Sequence, residues 1–136
     1  MLTRPGVLLR LEGLFVLLAA LTAYATLLHG RWWIFAVFFL APDFSLLGYA
    51  LKDRPGLAAA LYNTAHTYVL PVLLVLAAAK AGWRTGELSA AIWTAHIAFD
   101  RLLGFGLKYP ELFKQTHIQA ADTAPSGTQR QTLLAK

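Results

Sequence analysis

The sequence predicts an all-α integral membrane protein, an antiparallel bundle of four transmembrane helices followed by a short polar tail. Composition and span length carry that expectation. Of the 136 residues, 57% are hydrophobic and only 14% charged, where soluble domains hold about a quarter charged. The apolar stretches run to membrane-spanning length and are apolar on nearly every side, whereas a soluble bundle repeats Lys and Glu along one face of each helix.

Four spans follow in order, at about residues 7–28, 32–51, 57–79 and 88–105. Each holds roughly 18 to 23 residues, enough to cross a hydrocarbon core of about 30 Å at 1.5 Å per residue. Backbone groups in lipid must be satisfied within the segment, and these runs lack the alternation of barrel strands. The joins are short, at His29-Gly30-Arg31, at Lys52 to Gly56 and at Lys80 to Glu87, so consecutive helices should be antiparallel neighbours. In the second span Pro42 removes one backbone hydrogen bond and should bend the helix beside Asp43. Gly104, Gly106 and Pro110 should end the fourth. Trp32, Trp33, Trp83 and Tyr109 lie near span ends, where amphipathic rings favour the headgroup level.

Arg4, Arg10, Lys52, Arg54, Lys108 and Lys114 fall on one side of this topology, and Arg31, Lys80 and Arg84 on the other. That imbalance places both termini in the cytoplasm, in a multi-pass inner-membrane protein. A rival reading takes Ala23-Tyr24-Ala25 as a signal-peptidase site, but the apolar run is long and Glu12 sits deep within it. We expect the membrane domain to cover residues 1–118 and residues 119–136 to form a disordered tail.

The net charge of +5 comes from basic residues scattered singly at span ends, which argues against nucleic acid as a partner. The absence of cysteine excludes disulfides, thiolate metal sites and cysteine nucleophiles. No phosphate loop, nucleotide fingerprint or serine-nucleophile motif is present.

An ionisable residue inside a span costs at least about 2.5–3.5 kcal/mol, so each one asks for a reason. The spans contain Glu12, Asp43, Asn63, His66, His96, Asp100 and Arg101. Counted from the cytoplasmic ends, all fall about 6 to 14 Å deep, in one layer that draws on four helices. His96 and Asp100, four apart, share a helix face, as do Asn63, His66 and Thr67.

His96-x3-Asp100 is half of a site for a divalent metal such as zinc, and His66 and Asp43 could complete it while leaving a position for water. Arg101 could hold a phosphate or carboxylate head group. Asp43, His66, His96, Asp100 and Arg101 are therefore the candidate catalytic residues, the first four of them also metal ligands. They suit a hydrolase acting on an anionic lipid or amphiphile at the bilayer. Without a metal, the same groups would serve a small proton- or cation-coupled transporter, which at four helices calls for a homo-oligomer. As plain interhelical hydrogen bonders they would describe a scaffold.

Several strings also carry a family resemblance. They are Ala41-Pro42-Asp43-Phe44-Ser45 with Gly48-Tyr49, and Tyr62 through Tyr68 with Pro71. Ala95 through Tyr109 follows, then Phe113 with Thr116-His117. Together they resemble the domain-of-unknown-function family numbered 4260, small bacterial membrane proteins, over nearly the whole chain to about Ile118. The resemblance implies a four-helix membrane protein and no activity, substrate or cofactor. Its signature includes Asp43, Asn63, His66, His96, Asp100, Arg101, Lys108 and His117. On that basis Asn63, Lys108 and His117 join the candidates as cofactor-binding residues, with His117 on a flank that could cap the cytoplasmic mouth.

Overall fold

The computed structural model describes residues 5–50, 55–109 and 112–116, with side chains over 5–47 and 56–107. Helix α1 runs Pro5–Thr22 and continues as a π-helical turn over Ala23–Leu27. Pro5 suits a first helical position, because its fixed φ and missing N–H cost nothing there. The chain then reverses through His29 (φ 44°) and Gly30, and the Tyr24 hydroxyl locks the reversal by donating to the Arg31 carbonyl at 2.8 Å.

Helix α2, Trp32–Phe38, stops four residues before Pro42. Proline there has no N–H for the Phe38 carbonyl and its ring crowds that turn. A 3-10 segment, Ala41–Ala50, follows and presents Asp43 in its first turn. The same physics acts once more. Helix α3, Pro55–Ala65, and helix α4, Val69–Ala81, are separated by a break at His66 to Tyr68, and Pro71 deprives the Thr67 carbonyl of its partner. Thr67 Oγ1 accepts from the Val69 N–H at 3.1 Å and so restarts the helix.

Helix α5, Arg84–Leu103, is the central element, with Ala90, Ile92, Ala95, His96, Ile97 and Ala98 all buried. It lies antiparallel to α1. The Arg84 guanidinium donates to the Leu27 carbonyl at 2.8 Å at one end, and Gly13 meets Ala98, Arg101 and Leu102 at the other. Helix α4 packs on α5, and α3 packs on the 3-10 segment. Gly104 (φ 87°) ends α5, with its own N–H on the Arg101 carbonyl and the Phe105 N–H on that of Asp100. Only glycine takes that left-handed cap without strain. Two strands, β1 (Lys108–Tyr109) and β2 (Leu112–Thr116), then pair antiparallel. This short two-stranded pairing is the exception to the helical structure of the described residues.

The four-span expectation is met in part. Among the described residues, one continuous helix, Pro5–Leu27, is long and apolar enough to cross a membrane. The pair Gly56–Ala65 and Val69–Ala81 passes the same test only as one span bent by 44°, and Trp32–Leu47 is a shorter apolar helix. The second and third spans are broken by Pro42 and Pro71. Helix α5, which contains most of the fourth, carries Arg84, Glu87, Asp100 and Arg101, which lower its apolarity. Large apolar side chains face outward on every described helix, among them Phe15 (69% exposed), Leu27, Val37, Phe44 (72%) and Leu76. That surface is consistent with a lipid bilayer as the surrounding medium.

A buried two-histidine, two-aspartate cluster as candidate metal centre

His96 lies on α5, one turn before Asp100. His66 lies at the start of the break after α3, and Asp43 on the 3-10 segment. The two proline-induced interruptions therefore supply half of the site. His66 and His96 are buried, while Asp43 and Asp100 are half-buried.

One ligand atom from each of these four residues lies within 4.8 Å of all the others. The two Nε2 atoms are 3.3 Å apart. His66 Nε2 is 3.4 Å from Asp43 Oδ1 and 3.5 Å from Asp100 Oδ2. His96 Nε2 is 3.5 and 3.6 Å from the same two oxygens. Four donors at about 2.0–2.2 Å from a zinc ion would stand about 3.3–3.6 Å apart along the edges of a tetrahedron. Five of the six edges fall in that interval, and the sixth, between the two carboxylate oxygens, is within 4.8 Å.

Proton bookkeeping points the same way. His66 Nδ1 lies 2.9 Å from the Tyr62 carbonyl. A carbonyl only accepts, so in the neutral ring Nδ1 carries the proton and Nε2 turns its lone pair to the cluster. A second-shell carbonyl of this kind commonly orients a metal-binding histidine. The ionised carboxylates are acceptors as well. Such acceptors repel unless a metal ion, or a proton on His96 Nε2, sits among them. Two aspartates would neutralise a divalent ion, which lowers the cost of burying the set.

Aromatic packing fixes both imidazoles. Tyr62 stacks on His66 with ring centroids 3.8 Å apart, and Phe39 meets His96 edge-on at 5.3 Å. Phe39 itself stacks on Phe35. His96 Nδ1 is buried without a hydrogen-bond partner, a cost of about 1–3 kcal/mol that the fold bears at this position.

Arg101 sits beside the cluster. One of its nitrogens, Nη2, donates to the His66 carbonyl at 3.3 Å, a group freed by the break after α3. Its Nη1 is buried and has no hydrogen-bond partner. The Ala65 carbonyl, freed likewise, accepts from Trp93 Nε1 at 2.7 Å. Asn63 lies half-buried on α3, one turn before His66, and Glu12 lies exposed on α1 outside the four-residue group. The Lys108 side chain and His117 lie outside the described residues, as does the tail 119–136.

Sequence reasoning missed Tyr62, Phe39 and Trp93 as supports of the site. The spacing of Tyr62 and His66, four apart on one helix face, was the available signal.

Comparison with curated proteins and with solved structures finds no match to the chain. The model of a domain of unknown function, DUF4260, matches residues 6–121. The chain belongs to the DUF4260 family.

Proposed function

We propose that this protein is a multi-pass inner-membrane protein that holds a divalent metal, zinc foremost, and uses it to hydrolyse a lipid or amphiphile. The observation that carries the reading is the convergence of Asp43, His66, His96 and Asp100, one ligand atom of each within 4.8 Å of the others. The multi-pass arrangement, with both termini cytoplasmic, is supported by the distribution of Lys and Arg and by the outward-facing apolar side chains.

When bound, zinc polarises a carbonyl or phosphoryl oxygen and acidifies water. His66, His96 and Asp100 would keep it in place, being the better packed of the four. Asp43 is 38% exposed and sits on the 3-10 segment. It would be the carboxylate of the four best placed to accept a proton from water. Arg101 would hold the negative charge that develops on the substrate.

A second reading, a cation transporter, is favoured by one observation. Four protein donors close a tetrahedron, whereas catalytic zinc sites usually keep one position open.

Turnover separates the two. Detergent-solubilised, zinc-loaded protein should hydrolyse a long-chain nitrophenyl ester or nitrophenyl phosphate diester. Chelation and His96→Ala should each abolish that activity. Stoichiometric zinc without turnover, combined with zinc uptake by proteoliposomes, would replace the hydrolase with the transporter.

A further inference from the structure

Asp43 and His66 stand at the two ends of a unit formed by the 3-10 segment and α3, which pack on each other. A break bounds that unit on either side. The turn at Phe39 and Leu40, ahead of Pro42, precedes it, and the interruption at His66 to Tyr68, ahead of Pro71, follows it. The other two cluster residues, His96 and Asp100, belong to α5, on which α1 and α4 are packed. The candidate metal centre therefore draws two ligands from each of two bodies.

The seam between the bodies is thinly filled. The 3-10 segment approaches α5 only slightly, and α3 has its close neighbours in the 3-10 segment and β1. Two cavities, of about 320 and 420 Å³, lie along the seam. Ser45 and Ala65 from one body and Trp93 from the other line both of them. Close-packed interiors leave few voids larger than a water molecule, and side chains that face a void forfeit the dispersion contacts that hold packed elements together. The Ser45 hydroxyl is buried there without a hydrogen-bond partner.

Polar ties across the seam gather beside the cluster. Trp93 Nε1 donates to the Ala65 carbonyl and Arg101 Nη2 to that of His66. Each such bond contributes about 0.5–3 kcal/mol net. A ligand shifts a conformational equilibrium only through its differential affinity for the two states. An ion at this site has that difference built in. With the bodies together it meets four donors, and with the bodies apart it keeps two.

We propose that the ion is a clamp. Its presence holds the 3-10 segment and α3 against α5, and its loss lets that pair swing away as one unit about the breaks at Phe39–Leu40 and His66–Tyr68. The two cavities then merge into one cleft beside Trp93. The inference rests on the metal-centre reading and adds to it the control of the seam by the ion.

The chain has no cysteine, so two introduced cysteines can carry nitroxide labels and report a distance by pulsed electron resonance. Nine residues separate Leu57 from His66, which makes α3 a lever about 14 Å long. Phe15→Cys on α1 with Leu57→Cys on α3 spans the seam, and Phe15→Cys with Leu76→Cys on α4 stays within one body. All three positions are exposed and lie outside the cluster. Detergent-purified protein with one equivalent of zinc should give one narrow distance for each pair. Chelation should broaden the first and lengthen it by about 2 Å or more, the scale of a hinge rearrangement, and leave the second unchanged. His96→Ala should give the chelated distances with zinc present.

A seam distance that is the same with one zinc bound and after chelation overturns the clamp and leaves the metal centre standing. A change in both pairs together also overturns it, because the whole bundle would then have loosened instead of one unit swinging. Protein that takes up no zinc overturns the metal reading, and the clamp with it.

Discussion

Alanine at Gly13 would bring a methyl group into the closest contact between α1 and α5. A Cβ at that position stands 2.8 Å from Arg101 Cβ, 2.9 Å from the Ala98 carbonyl oxygen and 2.9 Å from the Leu102 nitrogen. Carbon–carbon contacts settle at about 3.5–4.0 Å, so the helices must part by the better part of an ångström. None of the three atoms is the far end of a flexible side chain, and no rotamer change relieves the overlap. Overpacking of this kind costs about 1–3 kcal/mol. For a chain of this size that lowers Tm by about 2–8 °C per kcal/mol.

The shift falls on Arg101 in particular, whose Cβ is the nearest atom, so its bond to the His66 carbonyl should weaken as well. Circular dichroism melting of detergent-purified Gly13→Ala against wild type measures the first effect. Turnover of the nitrophenyl phosphate diester measures the second. A melting point and a turnover rate both equal to wild type would refute the close α1–α5 packing and the positioning of Arg101 derived from it.

Two further outcomes follow from the same geometry. Trp93→Phe removes the donor to the Ala65 carbonyl at the helix break and should destabilise by about 1–2 kcal/mol, read by the same melting experiment. Metal ligation requires neutral imidazoles and ionised carboxylates, so protons compete with the ion and bound zinc should be released as pH falls, at a lower pH the higher the free zinc concentration. Equilibrium dialysis at several pH values and two zinc concentrations follows that release, and an affinity that does not change with pH would speak against ligation by these side chains.

The sequence made the site easier to find than the spans. His66, His96, Asp43 and Asp100 stood out because charge inside an apolar run is costly, and helix rise and phase put them at one depth. The bend at Pro42 was legible for the same elementary reason that α2 ends at Phe38. Pro71 carried an identical signal four residues beyond Thr67, but the apolar run around it reads as one uninterrupted span.

That break matters to the site more than to the fold. It frees the carbonyls of Ala65 and His66, which Trp93 and Arg101 then take. The pairing of β1 with β2 was hidden as well, since Leu112 to Thr116 is short and only weakly alternating. The ties from Arg84 to Leu27 and from Tyr24 to Arg31 join side chains to distant backbone carbonyls. Span length and periodicity contain nothing about such contacts.

Cobalt(II) substitution tests the central claim, that four side chains from three separate elements share one ion. Protein loaded with one equivalent of cobalt(II) in detergent should show the intense visible absorption of a tetrahedral nitrogen- and oxygen-ligated centre. His66→Ala and His96→Ala should each lose it while keeping the helical circular dichroism of the wild type. An octahedral, weakly absorbing spectrum that is the same in wild type and both variants would contradict the shared metal centre.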